Sequence, residues 1–124
     1  MSTQAASTQQ VANRLVELCR QGQIIPAQEE LFDDNVKSTE HSAQHQGPPV
    51  TTGKTTVIEK GKQFSALIEE VHGANISEPI VAGKHFSISW LFDVTIKGMG
   101  RQKMEEICVY EVKDGKIVSE EFFG

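Results

Sequence analysis

Apolar residues near the amino terminus, Val11, Leu15, Leu18 and Cys19, recur on one face of a 3.6-residue period. Ahead of them Ser7-Thr8-Gln9-Gln10 has the form of a capping box, in which the Ser7 hydroxyl accepts from the Gln10 amide and the Gln10 side chain reaches back. Gly22 offers a left-handed stop, so the spacing predicts a helix to about Gln21. Pro26 suits the first turn of a short second helix through Phe32, Asp33-Asp34-Asn35 carries turn chemistry, and a brief strand from Val36 to Glu40 follows. His41 to Thr52 is polar around Gly47-Pro48-Pro49 and predicts an exposed loop on the rim of a cavity. The next helix begins near Gly53, with Thr51 or Thr52 as cap, and carries Val57, Phe64, Leu67 and Ile68 on one side to about Glu70. Within it Gly61 lets another element approach closely.

Beyond that helix the chain turns β-branched and aromatic, predicting strands near Val71 to Glu78, Lys84 to Lys97, Gln102 to Lys113 and Lys116 to Phe123 as an antiparallel meander. Asp114-Gly115 marks the last hairpin and Gly98-Met99-Gly100 a slightly longer turn before it. In the longest strand Phe86, Ile88, Trp90, Phe92, Val94 and Ile96 share the face that helices should cover, while Ser87, Ser89, Asp93 and Thr95 share the other. The following strand is apolar on both faces: Met104, Cys108, Tyr110 and Val112 accompany Glu106, with Ile107 and Val109 opposite. A second subunit covering the outer face would account for this. Helices first and a meander afterwards make an α+β order.

At 124 residues the chain fits one domain, taken as 9–124 after a flexible 1–8. Folding a chain of this size buries about two thirds of its open surface, enough for a core without metal or disulfide staples. Seventeen acidic residues against 12 basic, a net charge of −5, exclude the clustered cations that nucleic-acid binding needs. Cys19 and Cys108 lie far apart inside apolar patterns, which suits buried thiols in a reducing compartment. Residues 1–8 lack the make-up of a signal peptide, and no apolar run approaches the roughly 20 residues that span a membrane. A soluble cytoplasmic protein with no membrane partner is expected.

Two helices, a short strand, a loop, a long helix and a meander ending in Val109-Tyr110-Glu111-Val112-Lys113-Asp114-Gly115-Lys116-Ile117-Val118-Ser119-Glu120 resemble a SnoaL-like domain of the nuclear transport factor 2-like superfamily. The resemblance implies a cystatin-like α+β roll, a cone whose curved antiparallel sheet wraps the long helix and closes round a pocket at its wide end. It implies a homodimer through the outer sheet face. It also implies that Trp90, Phe92, Glu106, Cys108, Tyr110, Glu120 and Phe122 point inward, in agreement with the alternation of the long strand. The steroid isomerase branch implies a base at Glu40, but the nearest match to its second acid is Cys108, and Tyr110 is the only tyrosine in the chain. The polyketide cyclase branch implies Glu106 and Glu120 as acid/base residues.

Glu40, Glu106 and Glu120 are therefore the candidate catalytic residues, and Trp90, Phe92, Cys108, Tyr110, Phe122, Phe64 and His41 the candidate pocket lining. In an apolar cavity desolvation and mutual repulsion raise a carboxyl toward neutrality, where it can exchange protons beside a ketone carbonyl. The plainer alternative is that these glutamates are hydrogen-bonded structural groups or lie at a solvated mouth. His41, His45, His72 and His85 show no ligand spacing, so no metal and no cofactor are expected. Gly47 and Gly53-Lys54-Thr55 have the wrong spacing for a phosphate loop, and Pro48 and Pro49 remove amides it would need. Cys108 reads as a packed thiol. The expected partners are an apolar small molecule and a second copy of the chain; a non-catalytic binding or dimerisation scaffold is the rival reading.

Overall fold

The computed structural model describes residues 6–42 and 47–124, so the reading of His45 lies outside the described residues. Helix α1 (Thr8–Arg20) begins inside the span expected to be flexible, and the capping box is closed from both sides. Ser7 Oγ accepts from the Gln10 amide at 3.1 Å, and Gln10 Oε1 from the Ser7 amide at 2.8 Å. Helix α2 (Ile24–Leu31) runs directly into strand β1 (Phe32–Glu40). The Asp33-Asp34-Asn35 stretch is thus an irregularity within a strand: Asp33 Oδ2 accepts from the Asn35 amide, and the pairing register shifts between Phe32 and Lys37.

The expected rim loop contains a short strand, β2 (Val50–Thr52), paired antiparallel with β1. Thr51 and Thr52 are held in that pairing, so neither caps helix α3 (Lys54–Leu67); Gly53, at φ 98°, makes the turn into it. Gly61 does admit a neighbour, since a Cβ there would meet Ile25 Cδ1 of α2 at 3.3 Å. Strands β3 (Ile68–Ile76), β4 (Ile80–Ala82), β5 (His85–Ile96), β6 (Gly100–Lys113) and β7 (Lys116–Phe123) complete the chain. Asp114 and Gly115 both take positive φ, 51° and 76°, as the two-residue hairpin requires.

Strands β3, β5, β6 and β7 form the predicted antiparallel meander, with the short β4 added on β5. The sheet as a whole is mixed, because β1 lies parallel to β7 in the order β2-β1-β7-β6-β5-β3. It is unclosed, with β2 and β3 at its two ends, and with the helices packed on one face it makes the α+β roll that the resemblance implies. Helix α1 lies on β3 to β6 and buries Val11, Ala12, Leu15, Val16, Leu18 and Cys19; α3 lies on β1 to β3 and buries Val57 and Ile58. These side chains meet Phe86, Ile88, Cys108, Tyr110, Val112 and Ile117 in one core. Burial of each large apolar side chain there stabilises the fold by about 1.5–3 kcal/mol. The even-numbered face of β5 is the covered one, as the alternation predicts. The opposite face of β6 is open in the single chain, leaving Ile107 49% exposed.

Candidate active site

Three rows of inward side chains cross the sheet and position the acids. The first row runs Ser38, Glu120, Tyr110, Phe86 across β1, β7, β6 and β5. The second runs Glu40, Phe122, Cys108, Ile88, and the third begins at Glu106 and continues through Trp90 to Ile76. Same-face rows lie about 7 Å apart along a strand, so Glu120, Glu40 and Glu106 descend one row at a time. Because strand alternation is strict, Val36, Ser38 and Glu40 face the same way while Lys37 turns outward.

Glu120 is buried, with 4% of its surface exposed, and its Oε1 accepts from Ser38 Oγ at 2.9 Å. Burial pushes its carboxyl up to about 7, aided by the charges of Glu40 and Glu106 and opposed by the Ser38 hydrogen bond and the Lys60 ammonium. Glu106 is half-buried, and its carboxyl also rises to about 7, first through desolvation and then through the charge of Glu40. Two carboxyls that titrate near neutrality, with a third acting electrostatically on both, can give and take protons at physiological pH.

Trp90 and Phe122 are half-buried against the core, and Phe92 meets the Trp90 ring edge-on, with centroids 6.4 Å apart. Phe64 lies half-buried on α3. Cys108 and Tyr110 are closed off by packing, Tyr110 stacked on Phe86 at 4.7 Å, so they form a floor behind the site rather than an accessible lining. Burial also drives both thiols upward, Cys19 to about 12 and Cys108 further, which keeps them protonated and unreactive.

His41 does not line the site. Its ring stacks on Phe123 at 4.3 Å and its Nε2 lies 2.9 Å from Glu121 Oε1, both on the outer face. The pairing of β1 with β7 continues into the His41 amide, which donates to the Phe122 carbonyl, so alternation sends His41 away from Glu40. Two functional neighbours went unread in the sequence, Ser38 and Lys60. The first shares the parity of Val36 and Glu40, and the second sits between Val57 and Phe64 on the covered stripe of α3, so both carried a signal. Lys60 is part-buried and reaches Thr51 Oγ1 at 3.5 Å.

Among the described residues, the surface concavities include two of several hundred Å³. One of about 470 Å³ lies between α1 and the segment after β3, near Asn13, Arg20 and Pro79. The other, about 410 Å³, is lined by outer-face residues Ser89, Leu91, Glu105, Ile107 and Phe123 together with Trp90 and Glu106. Neither is lined by Glu40 or Glu120. Among the described residues no group of three or more His, Cys, Asp or Glu side chains is placed to hold a metal ion. No helix among them is long and apolar enough to cross a membrane.

The family model of the SnoaL-like domain matches residues 6–124. A candidate SnoaL-like polyketide cyclase from Mesorhizobium loti superposes with a TM-score of 0.87 at 33% identity, covering 96% of this chain and 100% of that one. A protein of unknown function with a cystatin-like fold from Xanthomonas campestris gives 0.79 at 16% identity, over 95% of this chain and 90% of that one. A candidate isomerase from Bacillus subtilis gives 0.72 at 18% identity, over 94% and 88%. The last two likenesses establish the shared fold alone. No curated protein matches the chain.

Proposed function

The chain belongs to the SnoaL-like domain family, and on that premise we propose that it binds an apolar carbonyl compound and moves a proton on it through Glu106 and Glu120, as an isomerase, cyclase or hydratase. The observation that carries this reading is the pair of carboxyls raised to about 7 on one face of the sheet, both under the charge of Glu40. The names of the Mesorhizobium loti cyclase and the Bacillus subtilis isomerase are consistent with it.

Glu106 is the more accessible of the two and serves as the base. Its carboxylate takes a proton from the carbon next to the carbonyl; the C–H bond breaks, the Glu106 O–H bond forms, and the electron pair moves to the carbonyl oxygen. Delivery of a solvent-derived proton from Glu106 to the same carbon completes an exchange, and return of the abstracted proton to another carbon an isomerisation, the electron pair moving back from oxygen to re-form the carbonyl in either case. The protonated form of Glu120 and the Lys60 ammonium, which acts on Glu120 electrostatically, offset the negative charge that develops. Aromatic rings of Trp90, Phe92 and Phe122 supply the apolar wall.

Cyclohexanone in D₂O tests this reading, with α-hydrogen exchange followed by proton NMR. The wild-type protein accelerates exchange, the rate passing through a maximum near pH 7, where Glu106 is partly ionised and Glu120 still partly protonated. Glu106→Gln slows it by at least about 10²-fold while remaining folded. Equal rates for wild type and variant would remove Glu106 from the reaction.

The exposed outer face favours a second property, a homodimer, because Ile107 and Phe123 are 49% and 42% exposed beside the 410 Å³ groove. Ile107→Lys should shift the sedimenting species from dimer to monomer, and a fully dimeric variant would free that face from the role. The two free buried thiols suit the reducing cytoplasm as compartment.

A further inference from the structure

Among the described residues two buried side-chain polar atoms lack a hydrogen-bond partner, Gln28 Oε1 and Trp90 Nε1. Gln28 packs in the joint between α2 and α3, where its Oε1 would lie 3.4 Å from a Cβ on Gly61. Trp90 is different, because it stands on the inward face directly across from Glu106 and only part of its ring is covered. An indole N–H can only donate, and leaving a buried donor without an acceptor is costly.

Neighbouring protein groups do not meet the need. Phe92 lies with its ring at 70° to the indole, centroids 6.4 Å apart, and offers no oxygen or nitrogen acceptor, and Glu106, though its cross-strand partner, makes no hydrogen bond to it. We propose that the Trp90 indole N–H receives the carbonyl oxygen of the ligand, so that the site selects ring compounds bearing an acceptor oxygen over hydrocarbons of the same shape. This inference rests on the acid/base reading of Glu106 and names the group that orients the substrate toward it. Cross-strand partners hold their Cβ atoms about 5 Å apart, close enough for one small ring to touch both. Trp90 and Glu106 also both line the 410 Å³ groove, so one ligand can touch the two side chains together. The nitrogen is closed to water in the free chain, so the acceptor arrives with the ligand. A site holding a donor in this way discriminates strongly against an analogue that cannot satisfy it.

Trp90 is the single tryptophan of the chain, so its indole N–H gives one ¹⁵N–¹H resonance. That resonance is followed while the wild-type protein is titrated with cyclohexanone and, separately, with methylenecyclohexane, in which CH₂ replaces the oxygen. The expected result is a downfield shift of the indole proton with the ketone and none with the hydrocarbon. Trp90→Phe should weaken binding of the ketone about tenfold more than it weakens binding of the hydrocarbon, since both ligands lose the same apolar contact and only the ketone loses the donor. The wild-type titration decides the matter even if Trp90→Phe does not fold. If the ketone shifts the Glu106 carboxyl resonance and leaves the indole unmoved, the donor role is overturned and the acid/base reading stands. If the ketone perturbs neither residue, both fall.

Discussion

Replacing Glu120 by glutamine probes the energetic cost of the site independently of any substrate. The wild-type carboxyl rises from 4.5 to about 7 on folding, chiefly because burial disfavours its charged form. Between those values the folded chain holds a proton that the unfolded chain has released, so the contribution to stability is complete below pH 4.5 and is lost as pH climbs through about 7. The span corresponds to about 3 kcal/mol, an upper figure because the chain can relax round the charge. Glu120→Gln removes the ionisation and keeps an oxygen to accept from Ser38 Oγ. Its amide NH₂ adds a need for an acceptor, a cost that does not vary with pH. The diagnostic is therefore the difference between variant and wild type at two pH values. Urea unfolding followed by Trp90 fluorescence should show the variant gaining up to about 3 kcal/mol on wild type between pH 5 and pH 9. The exposed ion pairs of Glu30 with Arg14 and Asp93 with Arg101 lower their carboxyls, so what they contribute is lost toward acid pH, below this window. A difference that stays flat from pH 5 to pH 9 would refute the argument that Glu120 is buried at the expense of its charge.

Ser38→Ala removes the hydrogen bond that favours the ionised form of Glu120, so the Glu120 titration followed by carboxyl NMR should move above 7. The variant should lose about 1–2 kcal/mol at pH 8 and little at pH 5. Gly61→Val places a branched side chain where a Cβ already meets Ile25 Cδ1 at 3.3 Å and Gln28 Oε1 at 3.4 Å. It should cost about 1–3 kcal/mol in thermal unfolding. Gly61→Ala should come closer to neutral, because the gain in helix propensity, about 1 kcal/mol, works against the contact.

Local chemistry determined much of this protein before any fold was known. The capping box at Ser7, the Asp114-Gly115 hairpin and the limits of β7 follow from residues adjacent in sequence, whose preferences act over a few bonds. The inward face of β5 follows from the period of two, which also sends Glu106 to the face of Trp90 once the hairpin fixes their pairing. Applied without exception, the same period would have put Ser38 with Glu40 and sent His41 outward.

Tertiary structure decided the rest, because pairing between distant strands and the loss of water are not local properties. Nothing near β1 announces that it will lie parallel to β7, yet that pairing brings Ser38 to Glu120 and sets Glu40 one row away. Nor does the sequence around Glu120 state how completely α1 and the core will exclude water from it. That exclusion, through the free energy of desolvating a charge, turns an ordinary glutamate into a group that titrates near neutrality.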